Sequence, residues 1–146
     1  MNSYKSYVIL FIVMVIVGII FNPMNVLAYQ FNHIYFSYTL FYIGLFMASN
    51  MLWAHDIISY LSFKKFNIYI FILGVFLSLI ISILFLREQY LVDDNQWLKR
   101  MITHHSTALT TSNKILNRTN NKKIRKLAEE IILTQEKEIK LMKSLL

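Results

Sequence analysis

Two adjacent histidines, His104 and His105, stand in a segment of helical periodicity, with Met101 three residues before one and four before the other. Further along, Gln135 and Glu138 interrupt an otherwise apolar row of Ile124, Leu127 or Ala128, Ile131, Met142 and Leu145. These side chains can do metal chemistry. Imidazole suits zinc, copper, iron and nickel, and a thioether adds a preference for Cu(I). The same groups have a second use without a metal, which is to hydrogen-bond one another and fix helix register. One of the two is needed, because an amide buried without a partner costs roughly 2–7 kcal/mol and a charge more.

The elements that must position these groups are two helices. Asp93 with Gln96 three residues later reads as a capping box that opens a helix running to about Leu116. Asn117 to Asn121 is a polar turn, and Asn120 or Asn121 caps a second helix running to the end. On the first, the rows Leu98, Met101, His105, Leu109, Ser112, Leu116 and Trp97, Met101, His104, Ala108, Thr111, Ile115 overlap into one broad inward face. In an antiparallel hairpin both helices rise about 1.5 Å per residue from a turn near Thr119. His105 is then level with Leu133, His104 with Thr134, and Glu138 with Arg100 and Met101. Met101, His104, His105, Gln135 and Glu138 are therefore expected to converge.

The residues before this hairpin read as a membrane domain. The chain of 146 residues is 56% hydrophobic, which exceeds ordinary soluble usage, and Gly (3) and Pro (1) are scarce, which favours long helices. It has no cysteine, so disulfides, thiolate zinc sites and cysteine nucleophiles are excluded. Up to Leu86 there are three Lys and one Asp, and from Arg87 onward twelve Lys and Arg against seven Asp and Glu. Three apolar runs, about 7–24, 34–53 and 68–86, each reach the roughly 20 residues that cross a bilayer. The first has a rival reading as a signal peptide cleaved after Val26-Leu27-Ala28. Gly74, Ser78 and Ser82 on the third run, with Gly44 and Ala48 on the second, allow close helix approach in lipid.

The expected fold is all-α: three transmembrane helices in residues 1–88, then an extramembrane antiparallel helical hairpin in residues 89–146. Lys5, Lys64 and Lys65 flank the bundle at one side, and the loop Asn22 to Asn32 is uncharged. Positive loops stay cytoplasmic, which puts the amino terminus inside and the hairpin outside.

The segment Trp97-Leu98-Lys99-Arg100-Met101-Ile102-Thr103-His104-His105-Ser106 resembles the Met-Ile-Pro-His-His motif of domain of unknown function 305, a ferritin-like helical family. Leu127-Ala128-Glu129-Glu130-Ile131-Ile132 and Gln135-Glu136-Lys137-Glu138-Ile139-Lys140-Leu141-Met142 resemble its second-helix motifs. Thr103 stands where the family usually has Pro, and Thr111 near where many members have Met, which weakens a methionine-rich copper site. Members with a similar three-helix membrane segment exist. The resemblance implies an extracytoplasmic helical domain associated with metal and especially copper handling, and it supplies no established reaction.

Other signals are weaker. Met47, Met51 and His55 share one face of the second run, a soft-ligand arrangement that ordinary apolar packing also explains. Lys122, Lys123, Arg125 and Lys126 read as a solvated helix start, and nucleic acid is not an expected partner. No phosphate loop, nucleophile elbow or catalytic carboxylate pair is present, so an enzyme is not expected. The expectation is a multi-pass, membrane-anchored, extracytoplasmic metal-binding protein, copper being the leading ion at His104, His105, Met101, Glu138 and Gln135. The alternative is a metal-free structural or interaction module. The expected partners are the lipid bilayer, a metal ion and a second copy of the chain. The second copy would cover Leu98, Ile102, Leu109, Ile132, Ile139 and Leu146, which flank the central rows.

Overall fold

The computed structural model describes residues 3–146, and every regular element among them is helical. In chain order these are α1 (Ser3–Ile20), α2 (Pro23–Val26), a 3₁₀ turn (Phe31–His33), α3 (Tyr38–Phe63), α4 (Ile68–Ile80) continuing into a π-helical stretch (Ile81–Arg87), α5 (Asp94–Leu116) and α6 (Lys122–Ser144). They form two compact units. The first holds α1 and Tyr38–Leu91, and the second holds Asn22–Ser37 and Val92–Leu146.

In the first unit α3 lies against both α1 and α4. Glycines make those contacts close. A Cβ on Gly18 would meet the Gly44 Cα at 2.9 Å, and one on Gly44 would meet the Val15 carbonyl oxygen at 2.9 Å. A Cβ on Gly74 would meet the Trp53 nitrogen at 2.9 Å. Ser78 is buried one turn beyond Gly74 and returns its hydroxyl to the Gly74 carbonyl at 2.8 Å. Small residues thus let the backbones touch, as expected for helices that associate in lipid.

Two helical stretches among the described residues, Tyr4–Val26 and Ile68–Arg87, are long and apolar enough to cross a membrane. Of an 18-residue window in each, only 11% and 22% is buried within the protein. Ile9, Ile12, Ile16, Ile72, Phe76 and Leu79 face outward instead. The expected second span, 34–53, does not reach the same apolarity, because α3 carries Asn50, His55 and Asp56. Its helix also starts later and ends later than expected. Ile34–Ser37 is non-helical and belongs to the second unit, where the Tyr35 amide reaches Thr103 Oγ1 of α5 at 3.4 Å. Beyond Trp53 no Gly or Pro intervenes, and Asp56 is held by Tyr7, so α3 runs on to Phe63. Lys64 then closes it at φ 56°, a left-handed helix-ending position.

The second unit is the hairpin and a strap. Asp93 accepts the Gln96 amide at 2.8 Å, which satisfies the expected cap of α5, and Asn121 accepts the Lys123 and Ile124 amides at the start of α6. The short turn between them folds the helices back on each other. Leu98, Ile102, Leu109, Ile139 and Met142 form a buried cluster, with Tyr35, Met101 and Ile132 packed against it. The strap Asn22–Ser37 bonds to α5 at several points. Tyr29 N–H donates to Ser106 Oγ at 2.8 Å, the Thr103 hydroxyl donates to the His33 carbonyl at 2.7 Å, and Tyr35 N–H reaches Thr103 Oγ1 at 3.4 Å. This answers one departure noted in the sequence: Thr103, where Pro is usual, ties the strap to the helix. Of the residues that a second copy was expected to cover, most are already covered. Leu98, Ile102, Leu109 and Ile139 are buried within a single chain, whereas Leu146, Leu133, Leu141 and Leu145 stay exposed.

Candidate functional site

Of the five residues expected to converge on the hairpin, the structure brings three together. His105 Nδ1 lies 3.0 Å from Glu138 Oε2, and Gln135 Nε2 donates to the same oxygen at 3.3 Å. Gln135 and Glu138 sit one turn apart on α6, so both can address a single residue across the helix pair. His105 faces them because its row is the inward row of α5. Its side chain is 15% exposed and that of Glu138 45%, so the pair sits at the rim of the interface.

The approach of His105 to Glu138 is an ion-pair distance without hydrogen-bond alignment, and the buried Nδ1 has no hydrogen-bond partner. An imidazole nitrogen and a carboxylate oxygen this close pair with each other directly, and the same two atoms are a two-donor set for a metal. Gln135 adds an amide whose oxygen and nitrogen exchange places by a flip. The donors are thus nitrogen and oxygen, which suit Zn²⁺ or Cu²⁺ better than Cu(I).

The other two expected ligands stand apart from this set. Met101 packs against the apolar cluster. His104 is exposed, its ring centre 5.9 Å from that of His105. Consecutive residues on a helix point about 100° apart, which is why His104 turns away. Its pKa is lowered, by desolvation first and then by His105 and Arg100, which keeps the imidazole neutral, the form that binds metal. No group of three or more His, Cys, Asp or Glu suited to a metal ion occurs among the described residues.

Sequence reading missed His33. It is buried on the 3₁₀ turn, its Nδ1 2.9 Å from Ser106 Oγ. Burial lowers its pKa, and Lys143 lowers it further. Its partner lies 73 positions away in sequence, so no local pattern could have signalled it.

Residues 88–146 match the family described as Domain of unknown function (DUF305). An uncharacterized protein of Acanthamoeba polyphaga mimivirus is 46% identical over 68 residues. That stretch is 47% of this chain and 45% of the relative, so the chain spans less than half the length of the protein it matches. No solved structure matches the chain.

Proposed function

We propose that the chain is a membrane-anchored protein that presents an extracytoplasmic, metal-binding helical hairpin, with copper in its divalent form the leading ion. The observation that carries the metal reading is the convergence of His105 Nδ1 and Gln135 Nε2 on Glu138 Oε2, at 3.0 and 3.3 Å. His105 and Glu138 would hold the ion, with Gln135 as a third donor and His104 the nearest further imidazole. A bound ion there would supply Lewis-acid or redox chemistry. The residues themselves bind it, and before it binds Gln135 Nε2 bonds the Glu138 carboxylate.

The three-crossing topology is supported by parity. The strap Asn22–Ser37 and the hairpin fold as one unit, so they lie on one side of any membrane. Between them run α3 and the Ile68–Arg87 helix. If Ile68–Arg87 crosses, α3 must cross as well to bring the chain back. At 26 residues α3 is long enough, since about 20 suffice. With α1 this makes three spans, and the Lys5, Lys64 and Lys65 ends face the cytoplasm.

A second reading has its own support. Gln135 already bonds Glu138, so the same residues can set the register of α5 against α6 with no ion at all. Calorimetric titration of the full chain in detergent with Cu²⁺ and with Zn²⁺ separates the two. Binding that is abolished by His105→Ala with Glu138→Gln is expected. Binding that survives the pair of substitutions would sink the ligand assignment, and none at all would leave the register role.

A further inference from the structure

The first unit contains an acid that the hairpin chemistry does not use. Asp56, on α3, is 1% exposed. Its Oδ1 accepts the Tyr7 hydroxyl from α1 at 2.6 Å, while its buried Oδ2 has no hydrogen-bond partner. Beside it, His55 stacks edge-on against Tyr7 with ring centres 5.4 Å apart, and its buried Nδ1 has no partner either. Both orphan atoms belong to residues lining one cavity of about 550 Å³, which Ser6, Tyr7, Ser59 and Lys65 also line.

We infer that this cavity is a divalent-cation site, with Asp56 Oδ2 and His55 Nδ1 as its protein ligands. Two buried groups that find no partner within the protein must be answered by what fills the cavity, water or an ion. An anion would meet the Asp56 carboxylate and be repelled. A cation answers the carboxylate oxygen and the imidazole nitrogen at once. The nitrogen donor selects against sodium, potassium and calcium, which take oxygen ligands, and favours a borderline ion such as Zn²⁺, Co²⁺ or Cu²⁺. The cavity is far larger than one ion. At about 30 Å³ per water there is room for a partly hydrated ion, its remaining positions filled by water within reach of Ser6 and Ser59. Tyr7 holds the carboxylate in one orientation and so acts as a positioning residue. The Lys65 ammonium on the same wall is the internal competitor for Asp56.

The site shares no ligand with the hairpin, so the two proposals fail separately. The test uses the full chain in detergent carrying His104→Ala, His105→Ala and Glu138→Gln, with Co²⁺ alone as the probe. About one equivalent is expected to bind, with a visible absorption band. Asp56→Asn keeps the side-chain shape and is expected to weaken binding at least about 100-fold, beyond the 10–100-fold that loss of an outer-shell partner costs. His55→Ala is expected to shift the band as the nitrogen donor is lost. A fully helical background protein that binds no Co²⁺ overturns the inference, as does undiminished binding by Asp56→Asn. Should Asp56→Asn lose its helical circular dichroism, His55→Ala decides the matter, and an unchanged band overturns the inference.

Discussion

Asp56 and Glu138 are both acids beside a histidine, yet they live in different kinds of structure. Asp56 is 1% exposed in a unit whose helices meet through glycine and serine and whose apolar side chains point outward. The Glu138 side chain is 45% exposed in a unit whose helices meet through a buried cluster of Leu, Ile and Met. The first unit resembles a structure made for lipid, where inward space is small and specificity comes from close backbone approach. The second resembles one made for water, where apolar burial drives assembly. The contrast teaches that the same side-chain pair carries different weight in each. Leaving Asp56 unpaired costs its full desolvation, whereas Glu138 falls back on solvent.

Opposite changes should therefore hurt the two units. In the hairpin, truncation is the sensitive direction. Ile102, fully buried, should lose about 2–5 kcal/mol on Ile102→Ala through lost transfer energy and a cavity. In the helical bundle the sensitive direction is enlargement. Gly44→Ala should cost about 1–3 kcal/mol, because the new methyl meets the Val15 carbonyl at 2.9 Å. Denaturant unfolding followed by circular dichroism measures both, and a neutral Gly44→Ala would break the comparison.

Acidification should weaken the second unit next. The His33 pKa is lowered by burial and then by Lys143. Below the ordinary histidine value of about 6.5 the unfolded chain binds a proton that the folded one resists. Stability is full above that pH and falls as the pH drops through the window down to the folded pKa. His33→Gln, which still can bond Ser106, should flatten the thermal midpoint between pH 7.5 and 5.5. A midpoint that drops as steeply in the variant would assign the pH dependence elsewhere.

The smallest effect is expected at the rim. Without metal, Glu138→Gln should change stability by only about 0–1 kcal/mol, since an exposed ion pair gains little over water. A loss of several kcal/mol would mean that Glu138 behaves like a buried acid and would erase the difference drawn between the sites.

The sequence by itself determined the helices and much of the hairpin. Apolar runs, the Asp93 cap, the Asn117–Asn121 turn and the 3-and-4 spacing of α5 are local signals, and local hydrogen bonding and periodicity obey them. The hairpin's mirror geometry was enough to bring His105, Gln135 and Glu138 together. It could not place His104 and Met101 with them, because small rotations about a helix axis decide which of two neighbouring residues faces inward. Only the tertiary structure decided that Asn22–Ser37 belongs with the hairpin, that Thr103 and Ser106 hold His33, and that Tyr7 reaches Asp56 across 49 positions. Those contacts join residues far apart in the chain. A polar side chain shows its type in the sequence but not its partner, and the partner is chosen by which helices pack together.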